Sequence, residues 1–258
     1  LAFVCAPTLP YWMLIIGDFF AIVVVKQLFG GLGKNFMNPA LGGRAFLMLC
    51  YPVAMTTWVA PGIGTGAWAD LLGGTKTMAG VDIVSSATPL SADFMHGGLL
   101  PDATILDAFV GNVGGCIGEI SALALLLGGV YLIVRGVIRA RIPVAYIATV
   151  AVLTFLFPKG GADNLQFMLY SIFGGGLMLG AFFMATDYTT SPVTKTGQLI
   201  FGLGCGLLTV FIRYFGSYPE GVCYSIMIMN LVVALIDKAV KPSRFGVVKS
   251  ANKEAAAK

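Results

Sequence analysis

Thr88 has surroundings that suit it to chemistry. It closes the stretch Asp82-Ile83-Val84-Ser85-Ser86-Ala87-Thr88 and is followed by Pro89. A proline ring disfavours the helical conformation in the residue before it and pushes that residue towards extended backbone. An extended threonine within a long polar segment presents its hydroxyl to a partner.

Asp18 and Glu119 are acids deep within apolar runs. Each lies about eight to ten residues from the outer end of its run, roughly 12–15 Å at the helical rise, so the two are expected at similar depth. A carboxylate at that depth in a bilayer is costly unless paired, hydrated or protonated, which makes both candidates for ion passage. The competing role is a protonated acid hydrogen-bonded between helices.

Two polar groups sit at the opposite ends of runs. One is Lys34-Asn35, Asn38-Pro39 and Arg44; the other is Asp187-Tyr188-Thr189-Thr190-Ser191-Pro192. Their amides, hydroxyls and cation could grip a ligand. Asn38 and Ser191 could instead cap helices, with Pro39 and Pro192 at the favoured first position.

Other signals fail on spacing. Gly33-Lys34 lacks the earlier glycine and following Ser or Thr of a phosphate loop. Gly202-Leu203-Gly204-Cys205-Gly206 is spaced differently from a dinucleotide fingerprint and lies in an apolar run. His96, the single histidine, has no second histidine or nearby cysteine with which to share a metal. Cys5, Cys50, Cys116, Cys205 and Cys223 stand singly, so no iron–sulfur cluster is expected from this chain alone. They read as small buried hydrophobes, or as one ligand of a metal site shared with a partner.

A membrane must position these residues. The chain is 57% hydrophobic and 11% charged, with mean hydropathy +0.88, and its apolar runs approach the roughly 20 residues that cross a bilayer as a helix. An all-α, polytopic integral membrane protein is expected, a single membrane domain over 1–258. Seven spans are read at Tyr11–Phe29, Arg44–Ala60, 109–134, 142–157, 166–185, 198–214 and 222–240, with an outward polar segment at 62–108 and a basic tail at 241–258. Leu1–Ala6, apolar and without a starting methionine, reads as the tail of an earlier span in a longer protein. Glycine pairs four apart (111/115, 114/118, 176/180 and 202/206) are expected to form packing seams.

Basic residues are retained on the cytoplasmic side of membrane proteins. With the tail inside, only Lys76, Lys159 and Arg213 of the 16 basic residues fall outside. The Thr88 segment then faces outward and the C-terminus inward, and membrane topology rather than nucleic-acid binding accounts for the +4 net charge. Leu1-Ala2-Phe3-Val4-Cys5-Ala6 also echoes Gly180-Ala181-Phe182-Phe183-Met184-Ala185. By the same count the copies end on opposite faces. Two inverted five-helix repeats are therefore expected, with residues 1–61 ending the first, 109–240 forming the second and the N-terminal part missing.

Residues 30–47, the Ser85-Ser86-Ala87-Thr88-Pro89 site and Ala185–Pro192 together resemble the RnfD/NqrB family over nearly the whole chain. The short tail and the Asp-Tyr-Thr-Thr-Ser-Pro stretch place it on the RnfD side. The resemblance implies a membrane subunit of an Rnf complex, which couples electron transfer between reduced ferredoxin and NAD to Na+ or H+ movement across a bacterial or archaeal cytoplasmic (inner) membrane. It implies that a flavin transferase joins FMN to Thr88 through a phosphoester, making a covalent flavoprotein and phosphoprotein. Asp82, Ser85, Ser86 and Ala87 would form the attachment motif, Ser86 standing where the family usually has glycine.

The resemblance further implies a second flavin such as riboflavin between helices, with Lys34, Asn35, Asn38, Arg44, Asp187, Thr189 and Thr190 as contacts. Cation passage would run near Asp18 and Glu119. Expected partners are the other Rnf subunits, especially the other FMN-carrying one, together with membrane lipid and no nucleic acid. Activity is expected of the complex and not of the isolated chain. Two other readings stay open: the NqrB subunit of the Na+-translocating NADH:quinone reductase, and an inverted-repeat channel or secondary transporter without flavin.

Overall fold

The computed structural model describes residues 1–58, 90, 94, 97, 101, 103–159, 163–216 and 221–241. Asp82, Ser85, Ser86, Ala87 and Thr88, and the tail from residue 242, lie outside the described residues.

Among the described residues the structure is helical, with no strand. A 3-10 turn at Ala2–Val4 precedes α1 (Tyr11–Phe19), which continues directly as a π-helical stretch, Phe20–Gln27. Then come α2 (Pro39–Cys50) and the short α3 (Pro52–Thr56). Beyond the polar segment lie α4 (Ile105–Val110), α5 (Ala122–Val134), α6 (Arg141–Leu156) and α7 (Asn164–Phe173). One turn, α8 (Leu177–Leu179), runs into a second π-helical stretch, Gly180–Met184, before α9 (Lys195–Phe215) and α10 (Val222–Ala239).

By length and composition α9 and α10 can each cross a bilayer, and α7 with α8 and its π continuation qualifies as a pair bent by 59°. The apolar helices α2, α5 and α6 are shorter. Three of the expected uninterrupted spans are therefore broken. Pro52 starts a new helix after Tyr51, as expected of a residue without a backbone donor. The run expected at 109–134 stops at Gly111, whose φ of +115° leaves the right-handed helix, and helix resumes only at Ala122 behind the Ser121 cap. The run expected at 166–185 breaks where Gly175 and Gly176 take φ values of +63° and +68°. Glycine reaches that region without the steric cost other residues meet.

The face of α9 that looks inward is small and polar, and the face that looks outward is greasy. Gly202, Cys205, Gly206, Thr209 and Arg213 are buried, while Leu203, Leu207 and Phe211 are 48%, 54% and 60% exposed. That polarity is reversed from a helix on a water-soluble domain and suits lipid outside and protein inside. The 202/206 glycine pair forms the expected seam. A Cβ at Gly202 would lie 2.8 Å from Ala145 Cβ, and one at Gly206 2.5 Å from Thr149 Cβ, both on α6. The 111/115 and 114/118 pairs fall instead in the non-helical turn after α4, where four-residue spacing defines no face.

Where α6, α9 and α10 meet, three buried hydroxyls close on one another. Tyr146 Oη lies 2.6 Å from Thr209 Oγ1 and 3.0 Å from Ser225 Oγ, and the last two are 2.7 Å apart. Each hydroxyl satisfies polar atoms that would be expensive to leave bare in an apolar interior. Around them Phe201, Cys205, Ile226 and Phe167 belong to the largest core. A smaller cluster, Cys5, Leu47, Met48 and Met55, holds the N-terminal segment against α2.

The echo expected between 1–6 and 180–185 is not a likeness of local structure, since the first is a 3-10 turn followed by an extended Cys5 and the second a π-helix. A different correspondence is visible. Twice the chain runs through an irregular break, an α-helical piece, a π-helical stretch, a polar loop and a helix capped by a side chain. The caps are Asn38, accepting from Ala40 N, and Thr194, accepting from Gly197 N. The expected cap at Ser191 is thus replaced by Thr194, and α9 starts three residues past Pro192.

Candidate functional site

The two polar loops expected to bind a ligand meet. Asn35, buried just before α2, donates from Nδ2 to Met37 O at 3.0 Å and to Thr189 Oγ1 at 3.1 Å. Thr189 in turn donates to Asp187 Oδ2 at 2.8 Å, and Thr190 donates to the same oxygen at 3.2 Å. One carboxylate thus gathers two hydroxyls, and through one of them the amide of a residue 154 positions away from that hydroxyl.

Asn230 on α10 completes this node and was not anticipated from sequence. With its amide oriented to satisfy both ends, its nitrogen donates to Thr190 O at 3.1 Å and Ile226 O at 3.2 Å, and its oxygen accepts from Asn38 N at 3.2 Å. It therefore ties the loop before α2 to the loop before α9. The signal in sequence was a lone asparagine in an apolar run, Met227-Ile228-Met229-Asn230-Leu231-Val232. Such a residue needs partners in lipid, but spacing does not name them.

Of the other expected contacts, Asn38 Oδ1 serves as the α2 cap, and its backbone N–H joins the node. Lys34 is exposed, and its side chain folds over Gly30. Arg44 is set deeper. It lies six residues into α2, about 9 Å along the helix, where it is only 5% exposed.

Arg44 shares its surroundings with Glu119 instead. Both line a cavity of about 10 Å3, together with Val4, Gly175, Gly176 and Cys223, space for about one water molecule. Glu119 is not on a helix. It sits in the turn between α4 and α5, where its Oε1 accepts from Cys116 N at 2.9 Å. That turn is held by the N-terminal segment: Gly118 N donates to Phe3 O at 2.8 Å and Cys116 Sγ to Val4 O at 3.3 Å. The depth expected for Glu119 assumed a continuous helix through 109–134, so it does not carry over. Asp18 is half-buried on α1 and is not among the residues lining this cavity.

Arg213, read as an outer-face residue, is buried at 1% exposure. Its guanidinium donates to Ser171 O at 2.7 Å, Gly175 O at 3.2 Å and Gly174 O at 3.5 Å. The end of α7 leaves carbonyls without helical partners, and Arg213 supplies the donors. Irregular backbone at membrane depth is tolerated where protein buries it, and the Gly174–Gly176 break has Arg213 on one side and Glu119 on the other.

Comparison with known proteins bears on the whole chain. The model of the NQR2, RnfD, RnfE family matches residues 1–246. The chain is 46% identical over 252 residues to the D subunit of the Na(+)-translocating ferredoxin:NAD(+) oxidoreductase complex of Acetobacterium woodii, covering 96% of this chain and 71% of that one. It is 45% identical over 249 residues to the D subunit of the proton-translocating ferredoxin:NAD(+) oxidoreductase complex of Clostridium ljungdahlii, covering 93% and 70%. The D subunit of an ion-translocating oxidoreductase complex of Stutzerimonas stutzeri is 38% identical over 263 residues, covering 95% and 73%. The chain belongs to the NQR2, RnfD, RnfE family, on its RnfD side.

Proposed function

We propose that this chain is the flavin-carrying D subunit, set in the membrane, of an ion-translocating ferredoxin:NAD oxidoreductase complex. The observation that carries the reading is the similarity to the D subunits of such complexes across nearly all of the chain. Thr88 is the proposed attachment point, its oxygen joined by a flavin transferase to the phosphate of FMN within the motif Asp82, Ser85, Ser86 and Ala87. FMN there would supply one- and two-electron transfer, while the protein contributes position and electrostatics. A covalent tether on the outer face keeps the local concentration of the group high beside its donor.

The node offers groups of the kind a flavin ring edge requires: the Asn35 amide, the Asp187 carboxylate, and the Thr189 and Thr190 hydroxyls. These groups are engaged with one another, so a second flavin such as riboflavin would be held there by taking those bonds over. Inverted repeats suit the twice-occurring order of break, π-helix and capped helix. Charge added on reduction favours entry of a cation, with Asp18 and Glu119 the acids proposed to conduct it. The relatives at 46% and 45% identity are named for different ions, so likeness to them does not choose between Na+ and H+.

The test is intact-peptide mass spectrometry across residues 77–95 of protein matured alongside its flavin transferase. The FMN mass is expected on that peptide and is lost in Thr88→Ala. An unmodified Thr88 under those conditions would remove the flavin assignment. Quinone reduction by the intact complex without ferredoxin activity would make the chain the NqrB subunit of the Na+-translocating quinone reductase. Colourless protein with solute flux would make it a channel or transporter.

A further inference from the structure

The loop that carries the node has a second side. Where the connection from α5 to α6, the start of α6, the loop after the second π-helical stretch and the start of α9 converge, they leave an open groove of about 250 Å3. Its polar lining includes Arg139, Tyr188, Ser191 and Gln198, and its apolar lining includes Ile138 and Val193. The volume falls below the roughly 300–1,000 Å3 of sites that enclose a whole drug-sized ligand, which suits a headgroup rather than a complete cofactor.

Three observations define the occupant. The first is charge. Arg139 lines the groove, Arg141 Nη1 donates to Gln198 Oε1 at 3.4 Å, and Arg135 and Lys195, two residues in sequence from the lining residues Val137 and Val193, are exposed. Asp187 and Asp237 are not among the lining residues. Asp187 is engaged by Thr189 and Thr190, and Asp237 accepts from Val193 N at 3.3 Å.

The second is the surface leading away from the groove. Leu127, Val130, Tyr131 and Val134 are exposed along α5, and Leu199, Leu203 and Leu207 along α9. Their three- and four-residue spacing makes a continuous apolar stripe on each helix. The third is place: the groove lies at the start of α9, a helix long and apolar enough to cross a bilayer, where lipid headgroups would be met, and a tyrosine lines it as is common at membrane interfaces.

We propose that this groove is a binding site for an anionic glycerophospholipid, its phosphate against Arg139 and the Tyr188 and Ser191 hydroxyls, and its acyl chains along the α5 and α9 stripes. Basic pockets between membrane helices attract anionic headgroups in this way. Because the loop at 186–191 forms both the groove wall and the Asp187 node, a bound headgroup would also hold the node's loop in place.

The test is photo-crosslinking in the intact complex, reconstituted with diazirine-labelled phosphatidylglycerol or phosphatidylcholine. Phosphatidylglycerol should label peptides covering 127–142 and 186–207. Labelling should fall about fivefold in Arg139→Gln, the effect expected of one basic residue at a charged surface, and return in Arg139→Lys, with assembly checked by native electrophoresis. Equal labelling by both lipids would overturn the proposal. So would its abolition by millimolar glycerol phosphate, which would mean a free phosphate site, or cross-links from these peptides to a neighbouring subunit in place of lipid.

Discussion

Arg44 and Glu119 line one cavity of about 10 Å3, although one lies on α2 and the other in a turn 75 residues later. Removing one partner of a buried pair leaves a charge that costs about 3–5 kcal/mol. Arg44→Met and Glu119→Gln should each lower the thermal stability of the purified complex, and the double replacement should cost clearly less than the sum. Strict additivity would mean that the two do not act as a pair.

Asp18 stands apart from that cavity, so the two acids should separate by readout. Asp18→Asn is expected to reduce ion transport coupled to ferredoxin oxidation while leaving thermal stability near wild type. Glu119→Gln is expected to reduce both. Undiminished coupled transport in both variants would remove the acids from the proposed ion path.

Asn230→Leu deletes an amide that satisfies Thr190 O, Ile226 O and Asn38 N. Groups left unsatisfied in a buried setting cost about 1–3 kcal/mol. We expect lower stability and a lower yield of non-covalently bound flavin, with the Thr88 peptide still modified. An unchanged ratio of non-covalent to covalent flavin would take the node out of flavin binding.

Gly176→Ala and Gly33→Ala separate crowding from backbone strain. Both glycines have positive φ, +68° and +83°, but a Cβ at Gly176 would collide with Glu119 Oε2 whereas one at Gly33 meets nothing within 4 Å. Strain of this kind alone costs about 1–3 kcal/mol. Gly176→Ala should therefore melt at a lower temperature than Gly33→Ala. Equal losses would show that Glu119 moves aside freely.

Asp107 opens α4 through a reciprocal cap with Thr104: its Oδ2 accepts from Thr104 N at 3.1 Å and from Thr104 Oγ1 at 2.6 Å. The Thr104 hydroxyl and N–H bonds hold its carboxyl below the ordinary value of 3.8. With the folded pKa depressed, the cap's contribution is present above pH 3.8 and is lost as pH falls through the lower folded value. Hydrogen exchange at 105–110, corrected for intrinsic rate, should rise in that acid window. Asp107→Asn should show the faster exchange already at neutral pH, without the acid step.

Composition and local chemistry determined the helical character of the described residues, the membrane character of the chain, the Asn38 cap and the Gly202/Gly206 seam. Each depends on residues within one helix or on the sum of many. The motifs at 30–47 and 185–192 also identified the family, because a string of residue types survives without knowledge of what touches what. Tertiary structure decided the rest. Apolar runs look equally continuous whether or not Gly111 or Gly175 turns left-handed inside them, so the breaks were invisible until packing fixed those dihedrals. Arg44 could not be separated from Asn38 in a stretch of seven residues, since the helical turn sends one towards the loop and the other towards Glu119. Asn230 and Arg213 found their partners 38 to 192 residues away, at Thr190, Asn38 and the end of α7. A buried polar group must be paired, but only the folded backbone brings its partner within about 3 Å.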